Sequence, residues 1–176
     1  MRGYITVCFS DWINDNFDNG VMHITNGIRT DRPIRRKLAI NEIEGVHYYR
    51  KPDPDFKNFT YSRCHKSLRQ QLQRGDVLFF RTLWQEKQYI IGYFLIKGIM
   101  GDPKNPICLA DPNQSLLIDY KFEVTLDLVR FLNPLAYLNQ SRHFNKWTNE
   151  WLGRNYLSLD LETATCLINL LKETAA

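Results

Sequence analysis

The 176 residues include 44% hydrophobic and 13% aromatic side chains and carry a formal net charge of +4, which fits one packed domain and excludes a disordered chain. A domain of this length buries roughly two thirds of the surface its unfolded chain exposes, so it needs neither disulfide nor structural metal to fold. No run of about 18 apolar residues is present to span a membrane, and the four widely separated cysteines, Cys8, Cys64, Cys108 and Cys166, form no C-x-x-C pair, which reads as reduced thiols in a cytoplasmic protein.

Residues 3–9 (GYITVCF) have the composition of a first strand, with no secretory leader pattern before it. The stretch that follows contains INDNFDNG, rich in residues that favour turns and left-handed backbone, and is expected to be a loop. Trp12 and Phe17, with Ser10, Asn14 and Asn16 as neutral hydrogen-bonding groups, are the materials of an aromatic ligand pocket; equally, the two rings suit anchoring the loop onto the fold. After a short strand at 21–25, Arg29, Arg32, Arg35, Arg36 and Lys37 stand against a single Asp31. This densest positive patch is either a solvated face or a phosphate-neutralising surface. A short strand is expected at 46–49, then a Pro-containing loop, KPDPDFKNFTY, that cannot be helical.

Residues 62–73 (SRCHKSLRQQLQ) read as a helix with Ser62 as N-cap and Leu68 and Leu72 one turn apart. In such a helix the neighbouring Cys64 and His65 point about 100° apart, which disfavours a Cys-His dyad. Gly75-Asp76 then forms a tight turn into the stretch around which the chain is organised, two long apolar runs at 77–84 and 89–96 joined by a short polar turn. Runs apolar on both faces require cover on both sides, inside a barrel or under helices. Arg81 shares a face with Val77 and Phe79, so its guanidinium needs an anion, carbonyls or water. Gly92 marks a bulge, a barrel corner or close approach of another backbone or a ligand.

Beyond a GDPKNP loop, 116–124 reads as a further strand and 126–132 as a short helical turn stopped by Asn133-Pro134. Residues 141–152 place His143, Phe144, Trp147 and Trp151 at helical spacing, and 160–172 form a closing helix with Ala164, Leu167, Ile168 and Leu171 on one face. No P-loop, G-x-S-x-G, H-E-x-x-H or G-x-G-x-x-G signature occurs, and the four histidines suggest no metal site. The absence of such motifs favours binding over catalysis, with no cofactor or metal expected.

The order of strand, loop, helix, Gly-Asp and long apolar hairpin ending in Ile90-Ile91-Gly92-Tyr93-Phe94 resembles the PUA-like superfamily, which includes the YTH, EVE and ASCH domains. More narrowly, the chain is similar to the nucleotide-modification-associated domains. That likeness is carried by Asn19-Gly20, the 33–36 segment PIRR, Asp53-Pro54-Asp55-Phe56 with Thr60-Tyr61, Gly75-Asp76, His143-Phe144 and the 151–155 segment WLGRN. The resemblance implies an α+β fold, a single PUA-like domain over 1–176 in which a β-barrel is flanked by helices. It implies a nucleic-acid-binding module, a reader of a modified base in DNA or RNA linked to DNA modification or genome defence, with possible protein partners and no membrane. Ser10, Asp11, Trp12, Asn14 and Trp84 would bind the base, and Arg29, Arg35, Arg36, Lys37 and Arg81 the backbone. The alternatives are an enzyme acting on a nucleotide or modified base through Asp11, Asp53, Asp55 or Tyr61, and a non-catalytic interaction subunit.

Overall fold

The computed structural model describes residues 1–8, 22–25, 46–50, 53–84, 87–118, 120–135, 152 and 155–176, and of residues 22–25, 46–50 and Trp84 only the backbone. Nine strands are present among them: β1 (Gly3–Val7), β2 (Met22–Thr25), β3 (Val46–Arg50), β4 (Thr60–Tyr61), β5 (Val77–Trp84), β6 (Lys87–Met100), β7 (Ile107–Ala110), β8 (Leu116–Leu117) and β9 (Tyr156–Leu159). Three helices accompany them, α1 (Lys66–Arg69), α2 (Leu126–Leu132) and α3 (Leu161–Ala175). The fold is α+β. No helix among the described residues is long and apolar enough to cross a membrane.

The two apolar runs pair antiparallel as expected, from Val77 opposite Leu95 to Trp84 opposite Lys87. Both faces of this hairpin are covered, which is why neither run alternates apolar with polar residues. On one face Val77, Phe79, Ile90 and Tyr93 pack with Ile5, with Leu128, Val129 and Leu132 of α2, and with Ala164, Leu167 and Leu171 of α3. On the other, Leu78, Phe80, Ile91, Phe94 and Ile96 pack with Tyr4, Phe56, Tyr61 and Leu68. The helices are started by side chains that satisfy otherwise orphaned amides: Thr125 Oγ1 accepts from Leu128 N at 3.3 Å, and Asp160 Oδ1 from Thr163 N at 2.7 Å. The Gly75-Asp76 turn is a clasp. Gly75 has φ 89°, and the buried Asp76 carboxylate accepts from Arg2 N at 2.9 Å and Gln73 N at 3.0 Å.

The main sheet runs β4-β7-β6-β5-β1-β9, with β8 also paired to β6, and β2 and β3 form a separate ribbon. The described pairings form an open path that none of them closes. The path is nevertheless strongly curled. In a flat sheet β4 and β5, three steps apart, would be separated by about 14 Å. Yet the Tyr61 ring lies 5.7 Å from Phe80 of β5, and Phe56, just ahead of β4, lies 5.6 Å from the same ring. The face holding Phe80 and Phe94 is therefore wrapped inside the sheet.

Three expectations change. The helix expected over 62–73 is a single turn, Lys66–Arg69, because His65 is left-handed; the stretch before it is held instead by the Asp53 carboxylate, which accepts from the backbone amides of Ser62, Arg63 and Cys64. The strand expected over 116–124 pairs regularly only at Leu116–Leu117, and the chain then follows β6 through Ile118 N to Ile91 O, Ile90 N to Phe122 O and Val124 N to Gln88 O. Strands β4, β7 and β9 are not anticipated by the sequence pattern, β4 falling at the end of the expected 51–61 loop; β9 pairs antiparallel with β1 from Gly3–Leu159 to Thr6–Tyr156. The stripe expected at 141–152 lies outside the described residues apart from Leu152, which is fully buried.

Candidate functional site

Strands β1 and β5 are parallel neighbours, in register from Gly3–Val77 to Val7–Arg81, so their carboxyl ends finish side by side. Cys8 N extends the pairing with a 2.8 Å bond to Arg81 O, and the Cys8 thiol lies 3.4 Å from the same carbonyl. Across this end lies the Ser62–His65 stretch, held by Asp53. That carboxylate is 1% exposed and accepts from Ser62 N at 2.8 Å, Arg63 N at 2.9 Å and Cys64 N at 2.5 Å. His65 Nε2 donates to Val7 O at 3.2 Å.

Three parts of the chain outside the described residues join the structure here: 9–21 follows Cys8, 51–52 precedes Asp53, and 153–154 precedes Asn155. Asn155 O accepts from Thr6 Oγ1 at 2.9 Å, which fixes the last of these junctions beside β1. The Tyr61 phenol stands by the Thr6 hydroxyl. Among the described residues, neither Tyr61 Oη nor Thr82 Oγ1, both fully buried, has a well-formed hydrogen bond.

Burial decides the protonation of these groups. It pushes the Cys8 thiol far up, with Cys64 reinforcing the shift and Arg81 only partly opposing it. It raises the Tyr61 phenol well above its ordinary value and lifts the Cys108 thiol to about 12. It lowers His65, against the pull of the Val7 carbonyl and Asp53. Asp53 is itself raised by burial, against its three amide bonds. At neutral pH the set therefore comprises a thiol, a phenol, hydroxyls and a neutral imidazole. Cys8 lacks the thiolate a nucleophile needs. Neutral donors and acceptors in a dry setting discriminate uncharged ligands by hydrogen bonding, because a wrong partner leaves them unsatisfied. No group of three or more His, Cys, Asp or Glu side chains suited to a metal ion occurs among the described residues.

Of the residues expected to form the site, Arg81 is the one whose side chain is described. It is fully buried, its Nη1 lies 3.4 Å from Gln88 Oε1, and burial lowers its pKa to about 10. Gln88 thus meets part of the demand that its position creates. Trp84 ends β5 opposite Lys87, with its side chain outside the described residues. Ser10, Asp11, Trp12, Asn14, Arg29, Arg35, Arg36 and Lys37 also lie outside them.

Asp53 and Asp55, named above among the residues an enzyme would use, both organise backbone. Asp55 Oδ1 accepts from Lys57 N and Asn58 N, each at 3.0 Å, and Oδ2 from Asn58 Nδ2 at 2.7 Å. Cys64 and His65 precede the helical turn rather than lying in it, so helical side-chain directions do not apply to them. Cys8 and Thr82 are not anticipated as site groups, since each sits among apolar residues. The usable signal is the run of hydroxyl and thiol positions on one face, Thr6, Cys8 and Thr82. No family model matches the chain, and no curated protein matches it.

Proposed function

We propose that the chain is a nucleic-acid-binding module with a PUA-like barrel that reads a base, a modified one in particular, at the carboxyl ends of β1 and β5. The observation that carries this reading is the set of neutral hydrogen-bonding groups at the end of β1, the buried Tyr61, Thr82 and Cys8 together with the partly exposed His65. The curl that brings β4 over β5 supports the barrel. The basic residues between Arg29 and Lys37 supply the complementary requirement, a surface for phosphates.

Such a reader extrudes one base at a cost of a few kcal/mol, recovers about 1 to 3 kcal/mol by stacking it on an aromatic ring, and reads its edge with neutral groups. Trp12 or Trp84 is the stacking residue, Ser10, Asp11 and Asn14 contact the base, and Arg29, Arg35, Arg36 and Lys37 hold the backbone.

The test is binding of single-stranded and duplex oligonucleotides, each carrying one of a panel of modified bases, with the oligonucleotide analysed chemically afterwards. Trp12→Ala or Trp84→Ala should weaken binding roughly 5- to 150-fold without changing the salt slope. Arg35→Ala with Arg36→Ala should flatten the slope by up to about two units on duplex DNA, roughly 0.9 for each phosphate that is no longer neutralised. A wild-type protein indifferent to base modification overturns the modified-base reading. A chemically altered oligonucleotide transfers the site to an enzyme.

A further inference from the structure

His65 has φ 44° and ψ 61°, and Phe59 is the only other non-glycine residue with positive φ among those described. A side chain in this region is sterically disfavoured and persists where its surroundings over-determine it. Here they do. Asp53 pins the three preceding amides, Arg69 Nε bonds Cys64 O at 2.9 Å, and Arg69 N bonds His65 O at 3.0 Å. The imidazole is thereby delivered to the carboxyl end of β1. A carbonyl can only accept, so the 3.2 Å contact to Val7 O places the ring proton on Nε2 and leaves Nδ1 as an acceptor. Nothing among the described residues donates to Nδ1, and the residue is partly exposed whereas Cys8, Tyr61 and Thr82 are buried.

We infer that His65 is a specificity-determining residue of the base site, its Nδ1 accepting from an N–H on the hydrogen-bonding edge of an extruded base. The inference rests on the base-reading function proposed above and adds which edge the site takes: one that presents a donor. The charged and titratable groups around the ring agree with a neutral acceptor. Burial, Arg81 and Arg69 disfavour the imidazolium, while Asp53 and the Val7 carbonyl favour it, and the net effect holds His65 below 6.5. The acceptor is thus present at neutral pH. It is lost only as pH falls through this lowered value, when Nδ1 gains a proton and becomes a donor.

Two substitutions separate the ring from the backbone that presents it. His65→Gly accepts the left-handed conformation and removes the acceptor. His65→Asn tolerates the conformation and sets Oδ1 at the same bond count from the backbone as Nδ1, while giving up the bond to Val7. The probes are single-stranded DNA oligonucleotides with a central adenine, N6-methyladenine, N6,N6-dimethyladenine, cytosine, N4,N4-dimethylcytosine, thymine or 3-methylthymine. Removing every donor N–H from the preferred base should cost wild type about tenfold in affinity. His65→Asn should keep that discrimination and His65→Gly lose it. Wild-type affinity should also fall as pH drops through the lowered His65 value, whereas that of His65→Asn should not.

Equal impairment of the Gly and Asn variants would make the Val7 bond the whole role of His65 and overturn the inference. A wild type that prefers one base, with His65→Gly keeping the same preference, would overturn it too and leave the base reader standing. Binding with no base preference in wild type would overturn both. Thermal unfolding of each variant accompanies the titrations; should His65→Gly fail to fold, the Asn variant and the pH profile still decide.

Discussion

Gly92→Ala is expected to destabilise the protein by about 3 to 5 kcal/mol, the sum of backbone strain and overpacking that cannot relax. Gly92 sits in the middle of β6 with φ 150°, beside the bulge where Phe80 pairs with Gly92 but Arg81 pairs with Ile90, leaving Ile91 as the extra residue. An added Cβ would lie 2.1 Å from Leu116 O, 3.0 Å from Leu117 Cα and 3.1 Å from Leu116 C. All three are backbone atoms of β8, so no side chain can swing aside. The strand itself would have to move, and with it the Gly92–Leu117 pairing. Gly98→Ala is the control on the same strand, because a Cβ there meets nothing within 4 Å; it should change stability by less than about 0.5 kcal/mol. Urea unfolding of the two variants measures both. Equal midpoints would remove the close approach of β8 as the reason for the glycine.

The hairpin that Gly92 interrupts is legible in the sequence because its cause is local. Runs apolar on both faces report burial on both faces, whatever covers them, and a glycine inside such a run reports crowding or a bulge; both occur here. The short strands are not legible for the opposite reason. Ile107–Ala110 and Tyr156–Leu159 have four residues each, too few to establish a period, and they become strands by lying beside β6 and β1. Leu68 and Leu72 are both buried, so the apolar spacing that suggests a helix at 62–73 is meaningful. What prevents the longer helix is the left-handed backbone of His65, in a stretch whose preceding amides are held by a carboxylate upstream, at Asp53.

The site divides in the same way. That Arg81 needs a polar partner or water can be read from its face of the strand, but that Gln88 is within reach depends on the bulged register between β5 and β6. The conformation of His65 has no signature in its neighbours, since Asp53 and Val7 create it from distant points in the chain. The aromatic and basic groups at 10–14 and 29–37 remain assigned by composition and resemblance. They are tested by the tryptophan and arginine substitutions above.

Arg69→Lys, conservative by charge, is expected to cost about 2 to 4 kcal/mol, the sum of the buried bonds that an ammonium cannot make. In the sequence Arg69 is one basic residue among several on an expected helix. In the fold it is 2% exposed and its guanidinium serves three acceptors: Nε bonds Cys64 O at 2.9 Å, Nη1 bonds Pro106 O, and Nη2 bonds Asn105 Oδ1 at 2.9 Å. Those acceptors lie in two chain segments that this side chain's planar fork ties together. An ammonium is a compact point charge that cannot span the same positions, so at least one or two buried acceptors would be left without a donor at about 1 to 3 kcal/mol each. The charge would stay buried with fewer bonds. Arg74→Lys, at an exposed position close by in sequence, should stay within about 0.5 kcal/mol of wild type. Because Arg69 holds the carbonyl of Cys64, its replacement should also loosen the backbone that presents His65. Hydrogen exchange of the Cys64 and His65 amides should therefore quicken in Arg69→Lys and not in Arg74→Lys. A lysine variant with wild-type stability and unchanged exchange would show that the fork is replaceable and that Asp53 alone fixes this end of β1.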